Sequence, residues 1–93
     1  MTGPAEAHVV VSGRVQGVWF RGATVRFARE AGARGWVRNL PDRRVEAVVQ
    51  GDRAAVLAVV DFMRTGPPGA HVTGIEVSWR PPGEIFHDFD IRY

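Results

Sequence analysis

The spacing of the apolar residues switches between strand and helix periods in an order that leaves few folds open. His8 to Ser12 is a valine-rich run suited to a central strand. From Arg21 the spacing becomes helical: Phe20, Thr24, Phe27, Ala28 and Ala31 share one face, and Gly32 is placed to close it. Arg34 to Asn39 reads as a second strand, and "NLPD" as a turn. Val45, Ala47 and Val49 alternate with Glu46, Val48 and Gln50, giving a third strand. Asp52 stands where it can N-cap a second helix with the face Val56, Val59, Val60 and Met63, which Gly66 and Pro67-Pro68 stop. Thr73, Ile75, Val77 and Trp79 alternate again, as do Phe89, Ile91 and Tyr93 at the end. Residues 1–7 read as a loose tail.

This βαββαβ order with a short extra C-terminal strand predicts an α+β chain, a ferredoxin-like two-layer sandwich. Two helices should cover one face of an antiparallel sheet. With 93 residues, one domain spanning residues 1–93 is expected. In such a sheet the first and second strands run the same way with the third between them. The exit loop of the first strand and the end of the second then lie about 10 Å apart on one edge. "GRVQGVWFRG", Gly13 to Gly22, should therefore face Asn39 across a small cleft.

The loop is unusual. Its helix starts without Ser, Thr, Asp or Asn, and it carries Arg21 at the end that favours negative charge. Gly13 and Gly17 allow successive N–H groups to converge, as in anion-binding nests. An arginine fork beside such a nest suits a phosphate; a solvated arginine after a tight glycine turn fits the local pattern equally well. Asn39, ending a strand before "LPD", has a simple alternative as a turn former.

The other residues narrow the chemistry. There is no cysteine, no Ser-His-Asp set and no carboxylate pair near the loop. His8, His71 and His87 show no ligand spacing and read as surface residues. All twelve basic residues are arginine, but ten acidic residues alternate with them and the net charge is +2, which gives nucleic-acid binding little support. Hydrolysis of an acyl phosphate needs no more than an arginine, backbone donors and an amide. The leaving carboxylate has a conjugate-acid pKa of about 4, so no general acid is required. Arg21 and the N–H groups can meet phosphoryl charge, and an asparagine amide can hold a water in line.

At these residues the chain resembles the acylphosphatase family. "VSGRVQGVWFR", Val11 to Arg21, fits the first family signature at every defined position, and "GWVRNLPDRRVEAVVQG", Gly35 to Gly51, fits the second with one departure. "GPPGAHV" and "FDIRY" extend the likeness over nearly the whole chain. The resemblance implies hydrolysis of acyl phosphates to a carboxylate and inorganic phosphate, with no cofactor and no metal. It places the phosphate-binding arginine on Arg21 and the water-orienting asparagine on Asn39. The backbone phosphate cradle falls on Arg14, Val15, Gln16, Gly17 and Val18. The departure is Arg43, where the family usually has glycine. The expected partners are a small-molecule acyl phosphate as substrate and inorganic phosphate as product inhibitor, with no nucleic acid and no membrane. A monomer in the cytoplasm is expected. The competing reading is a non-catalytic ferredoxin-like anion- or RNA-binding or regulatory module. "RGWVRN" faintly resembles an RNA-binding strand, but only Trp36 supplies an aromatic ring there.

Overall fold

In the computed structural model, which describes residues 4–93, β1 (Pro4–Arg14) is followed by α1 (Phe20–Ala31), β2 (Arg34–Asn39), β3 (Val45–Asp52), α2 (Arg53–Thr65), β4 (His71–Arg80) and β5 (Phe89–Ile91). The sheet order is β4-β1-β3-β2-β5. β1 pairs antiparallel with β3 and β4, and β2 antiparallel with β3, so β1 and β2 run the same way. The exit of β1 and the end of β2 therefore share an edge, as the period pattern predicts.

The core lies between the sheet and the helices. Ala7, Val9 and Val11 of β1 and Val45, Ala47 and Val49 of β3 are fully buried. They face Phe20, Ala23, Thr24 and Ala28 of α1 and Val56, Val59, Val60 and Met63 of α2. Thr24 is accommodated because its hydroxyl donates to the Phe20 carbonyl at 2.8 Å. α1 ends as expected at Gly32, whose N–H donates to the Ala28 and Arg29 carbonyls and whose φ of 80 lets the following Ala33 N–H reach the Ala28 carbonyl at 2.9 Å.

Three expectations need correction. Pro4 to Ala7 are not a loose tail: they extend β1 and pair with Val49–Asp52. Residues 1–3 of that expected tail lie outside the described residues. The sheet is mixed rather than antiparallel, because β5 runs parallel to β2. β4 finishes at the end of the sheet where β2 begins, and the connection 81–88 crosses the open face of the sheet and delivers β5 alongside β2. Asp52 occupies the cap position of α2, but its side chain makes no capping bond.

The connection 81–88 is fastened to the open face of the sheet. The Gln50 amide donates to the Glu84 carbonyl at 2.7 Å and to Glu6 Oε1 at 3.0 Å, and accepts from the Phe86 N–H at 3.2 Å. Glu6, almost wholly buried, also accepts from Arg80 and the Gly83 N–H. Burial pushes the Glu6 pKa up, but hydrogen bonds from Arg80, Gln50 and Gly83 outweigh it, so the carboxyl is held below its usual range. Glu46 repeats the pattern. Burial raises its pKa, and bonds from His8 and Arg38, both 2.6 Å, bring it below normal.

Candidate active site

β1 shifts register against β4 between Ser12 and Gly13, stays paired with β4 through Arg14, and then leaves the sheet. Gly13 has φ 117 and lies so close to β4 that a Cβ would meet the Thr73 nitrogen at 2.8 Å. Gly17 has φ 76 with open space around it, so its backbone angle alone calls for glycine. Between them the loop curls, and the N–H groups of Gln16, Gly17 and Val18 donate to no backbone acceptor among the described residues. Trp19 then takes a left-handed conformation, φ 62 and ψ 29, and starts α1 without a side-chain cap.

The position of the helix start is set by Phe20. Its ring is buried against the Gly66 backbone, leaving no room for a Cβ there. Burying such a ring contributes roughly 1.5–3 kcal/mol. Arg21, the next residue, is thereby held at the pocket. No acidic residue stands in the first turn of α1, and Arg21 makes no ion pair among the described residues. Its guanidinium lies 5.3 Å from the centre of the Tyr93 ring.

The pocket has a volume of about 160 Å³ and is lined by Val15, Gln16, Gly17, Trp19, Phe20, Arg21, Gly22, Asn39 and Ile91. That is room for about five water-sized groups, enough for a phosphate and one water. Arg21 and Asn39, separated by 18 positions in sequence, thus border one cavity. Asn39 is the last residue of β2, and its Oδ1 is buried with no hydrogen-bond partner among the described residues. A buried, unpaired amide oxygen costs about 1–3 kcal/mol, and a water's O–H would satisfy it.

Not every residue of the expected cradle lines this pocket. Arg14 instead borders an adjoining cavity of about 300 Å³ with Gly13, Val15, Gln16 and Arg43. The Val18 side chain packs on the core. The sequence reading also missed the work of the Gln16 side chain. Its Nε2 donates to the Leu40 carbonyl at 2.9 Å and the Arg44 carbonyl at 3.0 Å, tying the loop to the turn after Asn39. A long amide within an otherwise apolar, glycine-rich loop was the available signal. His8 is likewise not a plain surface residue, since it pairs with Glu46. Trp36 lies under two guanidinium groups, Arg38 at 5.2 Å and Arg92 at 4.8 Å from the ring centre, so its ring is already engaged.

Arg43 sits in the β2–β3 turn with φ 75. A left-handed conformation costs a non-glycine residue roughly 1–2 kcal/mol. Glycine would remove that strain but add about 0.4–1 kcal/mol of unfolded-chain entropy. Arg43→Gly should therefore stabilise the chain by up to about 1 kcal/mol, read as a higher urea midpoint at unchanged slope. A lower midpoint would show that the arginine side chain compensates for its own strain.

Comparison with known proteins identifies the family. The acylphosphatase family model matches residues 7–91. An acylphosphatase of Anaeromyxobacter dehalogenans is 52% identical over 93 residues, covering 100% of both chains. One from Pyrobaculum arsenaticum is 50% identical over 88 residues, covering 94% of this chain and 93% of its own. The crystal structure of acylphosphatase from Bacillus subtilis superposes with a TM-score of 0.92 at 36% identity, covering 96% of this chain and 99% of that one. With likeness of this extent in both sequence and shape, the chain belongs to the acylphosphatase family.

Proposed function

We propose that Arg21 and the loop N–H groups hold the phosphoryl group of an acyl phosphate while Asn39 orients the attacking water. The chain is an acylphosphatase, a hydrolase that converts a small-molecule acyl phosphate to a carboxylate and inorganic phosphate. The observation that carries the assignment is the meeting, in one pocket, of an unpaired guanidinium and a buried, unpartnered amide oxygen.

The chemistry follows from those groups. The water oxygen forms a bond to phosphorus as the bond from phosphorus to the acyl oxygen breaks. The electron pair of that bond stays on the carboxylate, and both water hydrogens leave with the phosphate. Charge on the three spectator oxygens is met by the Arg21 fork and by N–H groups that need no reorganisation. Asn39 Oδ1 accepts one water hydrogen and so turns an oxygen lone pair toward phosphorus. The Arg14–Val18 segment acts through its backbone, with Gln16 and Gly17 at the pocket wall.

The test is an assay on benzoyl phosphate. Inorganic phosphate should inhibit competitively, and a chelator should leave the rate unchanged. Phosphate that leaves the rate untouched would show the cradle to be misplaced. Activity lost to a chelator and restored by a divalent ion would overturn the mechanism. The proposal also takes the chain to work as a single catalytic domain and a monomer. A cytoplasmic location completes it. Light scattering and cell fractionation test the last two. No described helix is long and apolar enough to cross a membrane.

A further inference from the structure

Trp19 is costly where it stands. Its left-handed backbone (φ 62) is strained for a bulky side chain. It gives α1 no capping bond, and it is 64% exposed. Glycine would take this conformation freely, and asparagine could also cap the helix. Strain and exposed aromatic surface kept together at the rim of a catalytic pocket call for a use in function.

Trp19 borders two cavities. One is the phosphate pocket. The other is a largely apolar groove of about 260 Å³ between the helices, lined by Trp19, Phe27, Phe62 and Pro67 together with Arg26 and Glu30. A benzene ring needs a cavity of about 150 Å³. Phe27 and Phe62 stack there, with ring centres 4.7 Å apart. The indole lies over the first turn of α1 at Gly22, where a Cβ would collide with its Nε1.

In-line displacement supplies the direction. In-line attack puts the water and the departing acyl oxygen on opposite sides of phosphorus, and Trp19, at the start of α1, lines the same pocket as Asn39, at the end of β2. We propose that Trp19 and the groove beside it form the subsite for the acyl group and favour acyl phosphates that carry an aromatic ring. Offset or edge-on contact with the indole would hold such a ring. The proposal rests on the assignment of Arg21 to phosphate and Asn39 to water.

The experiment measures kcat/KM for benzoyl phosphate and acetyl phosphate in the parent, Trp19→Gly, Trp19→Phe and Gly22→Ala. Comparing each variant with the parent on the same substrate cancels the difference in intrinsic reactivity. Glycine suits φ 62, so the fold is kept. Trp19→Gly, which removes the indole, and Gly22→Ala, which displaces it, should each lose about tenfold more on benzoyl than on acetyl phosphate. Trp19→Phe should keep most of the parent's preference. Equal losses on both substrates, or none, would overturn the subsite. Phosphate Ki in Arg21→Ala reads the underlying assignment separately: if it does not rise, the phosphate site itself has been misassigned.

Discussion

Arg21→Ala should lower kcat on the order of a thousandfold and weaken inhibition by inorganic phosphate roughly tenfold or more. In the proposed mechanism the guanidinium touches the phosphoryl group both when substrate is bound and when the bond to the acyl oxygen is breaking. Loss of a charge-assisted contact accounts for weaker phosphate binding. The larger loss in kcat reflects charge that shifts onto the spectator oxygens only as the group separates. Arg21→Lys should restore little, because an ammonium cannot present two parallel donors. The position sharpens the effect: α1 begins without a cap or an acidic first turn, so the positive end of the helix and the arginine act on the same anion. The measurement is kcat beside phosphate Ki, with folding followed by circular dichroism. A folded Arg21→Ala with parental Ki would remove the arginine from the site.

Asn39→Ala should fail differently. Here phosphate Ki should stay within about twofold of the parent, while kcat falls on the order of a hundredfold or more, as lost positioning of a reactant predicts. The split rests on Asn39 meeting the water through its unpartnered Oδ1, an acceptor, rather than the phosphate through its amide N–H groups. The opposite pattern, a weakened Ki with kcat little changed, would make Asn39 a phosphate ligand. A folded variant that turns over like the parent would return Asn39 to the role of turn former.

Most of the fold was legible because its cues are local. The helical face of α1 and its stop at Gly32 lie within a dozen neighbouring residues, and both are where the spacing put them. What the sequence hid depends on distant partners. Pro4 to Ala7 carry no strand signal of their own and become ordered by pairing with Val49–Asp52. The parallel course of β5 depends on how far the connection 81–88 travels, and its fastening by Gln50 and Glu6 joins residues 34, 36 and 77 apart in sequence. The pocket was half legible. The order of strands brought the loop and Asn39 to one edge, but only coordinates show that Asn39 Oδ1 is orphaned, that Trp19 is left-handed and that the Gln16 side chain points away from phosphate toward the turn.

That last contact has a bearing on how such a chain can vary. Hairpin tips are ordinarily where a protein accepts inserted residues at little cost. The tip between β2 and β3 is different, because one amide from another loop grips both of its shoulders, the Leu40 and Arg44 carbonyls. Within it, the Leu40 N–H bonds to Arg44 and the Arg43 N–H bonds back to Leu40. The tip is thus measured from outside, like a key cut to a lock already made. Its length is set by the reach of Gln16, and a graft or insertion there would move Asn39 away from Arg21 long before it troubled the sheet.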